Sequence, residues 1–284
     1  MKNVTELLNH ISLEPIEENI FRGKSHSVGA KNVFGGQVLS QALEAAMLTV
    51  PEDRHVHSLH AYFILPGDTT KPIVYEVDRI RDGRSFMTRR VVAIQAGRPV
   101  FNLSASFQRA EEGFDHQISM YNVHQPDTLM SDKDMLAHYR DQLPAPVVRF
   151  LELPRPIEFR RVERPNLFNP QKERPARHVW MRAKGKMSDD IREHQRVLAY
   201  ASDYNLLTTA LRPHGVHIMQ LQMASLDHAM WFHRDFRMDE WLLYAMDSPS
   251  ASNSRGFTRG SVFNLDGKLV ASVVQEGLIR MRRK

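Results

Sequence analysis

The sequence predicts an α+β fold built from two tandem copies of one unit, a helix followed by four antiparallel strands. Three observations predict it. The order of one amphipathic helix and four alternating strands occurs twice, short words of the first half recur about 170 residues later, and a proline-rich stretch separates the halves. In such a unit the apolar face of the sheet is buried by wrapping on the helix.

The first unit opens with a short strand over Asn19–Ser25. Gly35–Val50 then reads as a helix, because Leu39, Ala42, Leu43, Ala46, Met47 and Val50 share one stripe, and Pro51 ends it. Four strands follow, at Val56–Leu65, Ile73–Ile80, Ser85–Gln95 and Val100–Phe107. Pro66-Gly67-Asp68, Asp82-Gly83 and Gly97 supply the turns between them. In the last strand Phe101, Leu103, Ala105 and Phe107 lie on one face, and Asn102, Ser104 and Ser106 on the other. That period of two marks a half-buried strand.

Eight of the fifteen prolines fall between residues 120 and 180, among them Pro126, Pro144, Pro154 and Pro165. Proline removes a ladder donor and breaks helix interiors, so this stretch reads as a connection, with one helix over Asp132–Gln142. The expected organisation is an N-terminal domain over 1–115, a linker over 116–175 and a C-terminal domain over 176–284.

The second unit repeats the order. A short strand at Arg177–Ala183 precedes a helix at His194–Leu211, which Pro213-His214-Gly215 stops. Strands are expected at Gln222–His233, Glu240–Met246, Phe257–Asn264 and Lys268–Ile279, with Asp266-Gly267 as a hairpin turn. Ser58-Leu59-His60-Ala61 echoes Ser225-Leu226-Asp227-His228-Ala229, and Ser85-Phe86-Met87-Thr88-Arg89 echoes Gly256-Phe257-Thr258-Arg259.

Composition limits the chemistry. The chain has 284 residues, 25% charged and 42% hydrophobic, the balance of a folded chain. It has no cysteine, which excludes disulfides, cysteine-zinc and iron–sulfur sites, and a cysteine nucleophile. It has no nucleophile elbow G-x-S-x-G, no Walker A loop, no G-x-G-x-x-G and no H-E-x-x-H. The N-terminal residues are acidic and lack an apolar segment, and no apolar run approaches the roughly 18 residues a membrane span needs. A cytoplasmic protein with no membrane span is expected. The formal net charge of +5 suits a phosphorylated small ligand as well as nucleic acid. It is spread along the chain, so nucleic acid is not an expected partner, and the basic end Arg280–Lys284 reads as a solvated tail.

Two polar residues fall on apolar faces. Asp203 shares a helical stripe with Ala199, Leu206, Leu207 and Ala210, and Gln275 shares a strand face with Leu269, Ala271 and Val273. A buried carboxylate needs partners, so Asp203 is either a functional group or a capping or rim ion-pair residue. Gln275 either anchors a hydrogen-bond network or orients a substrate or water. Ser225 shares a strand face with Asp227, Ala229 and Trp231. The close histidines His55, His57 and His60, and His228 with His233, lack a third ligand at metal spacing, so structural roles and no metal are expected. Gly35-Gly36 before a helix permits close backbone approach and leaves first-turn amides free, or is a simple turn.

The words Val33-Phe34-Gly35-Gly36-Gln37-Val38, His57-Ser58-Leu59-His60-Ala61-Tyr62-Phe63 and Arg81-Asp82-Gly83-Arg84-Ser85-Phe86 resemble the acyl-CoA thioesterase II family. So do Tyr200-Ala201-Ser202-Asp203, Leu226-Asp227-His228-Ala229-Met230-Trp231-Phe232-His233 and Val274-Gln275-Glu276-Gly277. The resemblance runs from about residue 5 to 280. It implies a double hotdog, two tandem sheets each wrapped on a central helix. It implies hydrolysis of medium- to long-chain fatty acyl-CoA to fatty acid and CoA, without a cofactor, in a homo-oligomer, dimer or tetramer. The family's catalytic aspartate, hydroxyl residue and glutamine fall on Asp203, Ser225 and Gln275. Serine stands where threonine is frequent. With no cysteine or elbow, direct attack by a water is the expected route. Gly35, Gly36 and His57 are the expected substrate-binding positions, the glycine amides as donors to the thioester oxygen. The first unit has no counterpart of Asp203, and Ala105 stands near the place of Gln275, so one active site per chain is expected. Rival readings are another hotdog acyl-CoA enzyme, a hydratase or dehydratase with an Asp/His pair, and a non-catalytic acyl-CoA binder.

Overall fold

The computed structural model describes residues 1–143, 145–163 and 170–282. Helix α1 (Val4–Ile11) and strands β1 (Glu14–Glu17) and β2 (Ile20–Gly23) precede helix α2 (Gly35–Met47). Strands β3 (His55–Phe63), β4 (Ile73–Asp82), β5 (Phe86–Gln95) and β6 (Arg98–Gln108) complete the first half. Helices α3 (Asp132–Tyr139) and α4 (Ala145–Glu152) and strand β7 (Ile157–Arg161) occupy the proline-rich stretch. The second half holds β8 (Ala176–Ala183), α5 (Ile191–Ser202), β9 (Leu221–Ser225), β10 (Asp227–Phe232), β11 (Leu242–Ser252), β12 (Arg255–Phe263) and β13 (Leu269–Met281).

Among the described residues the strands form one antiparallel sheet, in the order β1-β2-β4-β5-β6-β3-β10-β13-β12-β11-β8-β7, with β9 also on β13. The two expected sheets are therefore joined. The seam is β3 against β10, where Leu59 faces Met230 and Ala61 faces His228. The alternation expected in β6 holds, with Phe101, Leu103, Ala105 and Phe107 all buried.

Four expectations change. The helix expected over His194–Leu211 ends at Ser202, and a 3-10 stretch, Leu207–His214, follows. Asn205 between them has φ 67°, a left-handed conformation that asparagine tolerates and a helix cannot continue through. The strand expected over Gln222–His233 breaks at Leu226: Ser225 pairs with Gly277 and Ala229 with Val274, leaving a bulge between them. β11 runs past Met246 to Ser252, with Pro249 inside a register shift between Asp247 and Ser250. The connecting stretch is also more ordered than expected, since β7 extends the sheet by pairing with β8, and Asp132–Gln142 divides into α3 and a 3-10 turn. Pro144 and Pro165, and the tail residues Arg283 and Lys284, lie outside the described residues.

Helix α2 is buried on nearly every side, as a helix enclosed by its sheet must be. Helix α5 packs against it with opposite chain direction. Ser40 Oγ donates to the Arg196 carbonyl at 2.8 Å, and Arg192 reaches the Met47 carbonyl. The Arg196 guanidinium pairs with Glu44 at 2.7 Å, both side chains nearly buried. At the far end of the contact a Cβ on Gly36 would lie 2.3 Å from the Tyr200 carbonyl oxygen. Only glycine permits that approach.

Gly36→Ala is therefore expected to destabilise the protein by about 1–3 kcal/mol, the usual cost of overpacking. Gly113, where an added Cβ meets nothing, is the control. Urea unfolding of both alanine variants checks the difference.

Candidate active site

Asp203 stands directly after α5, and its backbone N–H caps back to the Ala201 carbonyl. It is a helix-end residue and not the interior residue its periodicity predicts. The weak helix formers of Ser202-Asp203-Tyr204-Asn205 were the available signal. Gln275 lies in the middle of β13 on the buried face with Ala271 and Val273, as expected, and is fully buried. Ser225 ends β9 at the bulge, which turns its side chain toward β13.

The three residues meet. Gln275 Nε2 donates to Asp203 Oδ1 and to Ser225 Oγ, each at 2.9 Å. The Gly36 N–H donates to Asp203 Oδ2, also at 2.9 Å. Both carboxylate oxygens are thus held, one by each half of the chain. The Gly36 amide is in the first turn of α2, so the carboxylate also sits at the positive end of that helix.

Aromatic side chains pack together beside the carboxylate. The Phe34 ring lies 5.1 Å from that of Tyr200 and 4.5 Å from that of Tyr204, and the two phenol oxygens are 3.2 Å apart. Burial raises both phenol pKa values, so these groups stay neutral. His228 is fully buried, with Nε2 at 2.9 Å from Ser202 Oγ. Ser202 gives its own proton to the Ala199 carbonyl, which assigns the histidine proton to Nε2. Burial lowers the His228 pKa to about 4 against a partial opposing effect of Asp203.

The remaining expected positions divide. A Cβ on Gly35 would lie 2.8 Å from Asp203 Oδ2 and 2.9 Å from the Phe63 ring, so this position belongs to the site. His57 does not join it. Its Nε2 is 2.8 Å from Ser106 Oγ and its ring meets Phe86 edge-on. It lies six residues before Phe63 on β3, roughly 20 Å away at about 3.3 Å per residue. His233 pairs with Ser272 and His60 meets Trp231 edge-on, and among the described residues no three ligating side chains can hold a metal.

The first half has another occupant in the corresponding place. Arg89 faces Ala105 across β5 and β6, as Thr258 faces Gln275 across β12 and β13. The Arg89 side chain is buried and donates to Thr49 Oγ1, the Thr49 carbonyl and Asp82. Thr49 is the second residue after α2, one position further on than Asp203 is from α5. Sequence reasoning missed both this arginine and the amide contact of Gly36.

Two buried helices packed in opposite directions and enclosed by one long antiparallel sheet make this a hotdog-fold protein. A solved structure from Alicyclobacillus acidocaldarius described as having a hot dog fold superposes with a TM-score of 0.77 at 19% identity, covering 96% of this chain and 97% of that one. Two family models match, "Acyl-CoA thioesterase N-terminal domain" over residues 22–108 and "Acyl-CoA thioesterase" over 150–278. The chain is 42% identical to acyl-CoA thioesterase 2 of Haemophilus influenzae over 98% of both chains. It is 41% identical to an acyl-CoA thioesterase II of Mycobacterium marinum, with a TM-score of 0.80 and 98% of both chains covered. The chain belongs to the acyl-CoA thioesterase family.

The buried histidine sets a pH dependence of stability. The unfolded chain takes up this proton near pH 6.5, the folded chain only near pH 4. The unfolded state therefore binds more protons between those values, and stability falls as pH drops through that window, by at most about 1.4 kcal/mol per pH unit for this one group. Above the window its contribution is level. Burial also lowers the pKa of His10, His57 and His233, which adds in the same direction. Urea midpoints measured from pH 7 to pH 4 should decline less steeply in His228→Gln than in the parent.

Proposed function

We propose that the chain hydrolyses medium- to long-chain fatty acyl-CoA to fatty acid and CoA by direct attack of water, with Asp203 as the general base. The observation that carries this reading is a carboxylate fixed through both oxygens beside a serine hydroxyl. A water placed against Asp203 and Ser225 gives its proton to Asp203 as its oxygen forms the new bond to the thioester carbon. The C–S bond then breaks, and the proton passes to the departing thiolate of CoA. Gln275 is a positioning residue in this scheme, since it acts through the two groups it bonds. Gly36 supports the carboxylate in the same way. The Gly35 N–H has no partner among the described residues and is the proposed donor to the thioester oxygen. A hydratase pair of Asp and His is disfavoured, because His228 is engaged by Ser202 and not by Asp203.

Asp203→Asn is expected to lower kcat for palmitoyl-CoA by about 10²–10⁴-fold, the usual worth of a general base. The fold should survive, since a turn of the Gln275 amide lets its Oε1 accept from the new Asn. Ser225→Ala should lower kcat more than it raises KM. A thiol-release assay reads both, with a series of acyl lengths giving the chain preference. Near-normal turnover by Asp203→Asn would refute the assignment, and binding without thiol release by the parent would leave a carrier.

The same reading includes a cytoplasmic homo-oligomer, dimer or tetramer. No helix among the described residues is long and apolar enough to cross a membrane. Tyr62, Ile64 and Leu65 form an exposed apolar group at and beyond the end of β3, which assembly would cover. Light scattering should give a multiple of the 32.8 kDa chain mass.

A further inference from the structure

The proposed substrate carries its negative charge at one end, on the phosphates of its nucleotide half. We infer that the cavity beside Asp203 receives those phosphates, with Arg177 as its central cation. The inference rests on the reading of the chain as an acyl-CoA hydrolase and adds the place where the coenzyme is held.

The cavity has a volume of about 470 Å³ and lies between the proline-rich stretch, β8 and the 3-10 segment that follows Asp203. Tyr204 and Asn205, the two residues after Asp203, form part of its wall. The cavity therefore begins one residue along the chain from Asp203, whose own side chain faces Gly36 and Gln275. Four arginines line it, Arg155, Arg161, Arg177 and Arg212.

The neighbouring carboxylates are already committed. Asp132 takes Arg161 and Arg155, Glu173 takes Arg212, and Glu163 takes the imidazole of His178. Arg177 has no ion pair among the described residues. Its guanidinium gives one hydrogen bond, from Nη1 to the neutral Thr208 Oγ1 at 2.8 Å. Burial and the charges of Arg212 and Arg161 lower its pKa to about 10 against the opposing charges of Glu163 and Glu173, so it is still a cation at neutral pH. A partly desolvated cation whose neighbouring carboxylates, Glu163 and Glu173, are already paired with other groups is stabilised by an anion that several guanidinium groups reach together. A phosphate offers that, through oxygens matched to the guanidinium fork. An alkyl chain laid against Arg177 would deepen its desolvation and return no charge.

The test compares an acyl-CoA with the matching acyl-pantetheine, which has the same thioester and no nucleotide. For Arg177→Met, kcat/KM for the acyl-CoA relative to the acyl-pantetheine should fall about tenfold, consistent with loss of a charge-assisted hydrogen bond. The change should appear in KM. Arg161→Gln should shift the ratio in the same direction and stands in if the first variant does not fold. Adenosine 3′,5′-bisphosphate should compete with acyl-CoA, and Arg177→Met should raise its inhibition constant about tenfold. An unchanged ratio in an active enzyme overturns the inference alone. So does an effect equal in both thioesters that grows with acyl length, which would assign the cavity to the acyl chain. A parent protein that hydrolyses neither thioester overturns the functional reading and this inference with it.

Discussion

The contact between α2 and α5 is the constraint on which the site depends. The helices run in opposite directions, so the start of one meets the end of the other. Because Gly36 has no side chain, its backbone rides against the Tyr200 carbonyl, and its N–H reaches the carboxylate three residues further on. The rest of the interface keeps that register. Ser40 is bonded to the Arg196 carbonyl, and Glu44 pairs with the Arg196 guanidinium. Burial raises the Glu44 pKa even beside its cation, so this pair is held at some cost in desolvation. Such a pair serves alignment better than stability.

The two halves share a fold and differ in what fills the space after the helix. In the second half that space holds an acid, a hydroxyl and an amide. In the first it holds the Arg89 guanidinium, tied to Thr49 and Asp82. An arginine side chain there occupies volume and saturates the local acceptors. The first half still reaches the candidate site, however. It lends the amide end of α2 to the acid of the second half. The candidate site thus draws on both units, which gives a physical reason for carrying two copies of the fold in one chain.

Much of this was legible in the sequence because it rests on local period. The stripe of α2, the alternation of β6 and the inward face of Gln275 are all functions of residues a few positions apart. Asp203 was legible as an odd residue with capping among its open readings, but the end of the helix was not legible, because the stripe continues in number through Leu207 and Ala210 while the backbone turns at Asn205. The bond from Gly36 to Asp203 spans 167 positions, and no local pattern encodes it. The seam of β3 on β10 and the break at Leu226 are of the same kind, being set by which strands meet. His57 was misplaced because a strand pattern gives the face of a residue and not its distance from a site at the other end.

The hydrogens at the site decide how its polar groups divide the work. The Gln275 Nε2 carries two hydrogens, and both are used, one on Asp203 and one on Ser225. Its Oε1 is buried and has no described partner. Gln275 therefore has no further hydrogen to give a reacting molecule, and its effect as a donor is to fix two neighbours. Ser225 accepts from Gln275 and keeps its own O–H to give. Asp203, an acceptor only, has one oxygen on Gly36 and one on Gln275, with lone pairs to spare on each. What faces outward is one acceptor and one hydroxyl, the pair that a single water satisfies by donating to the first and binding the second. In the proposed mechanism the orientation of that water is supplied before the substrate arrives, by bonds that come from two separate elements, α2 and β13.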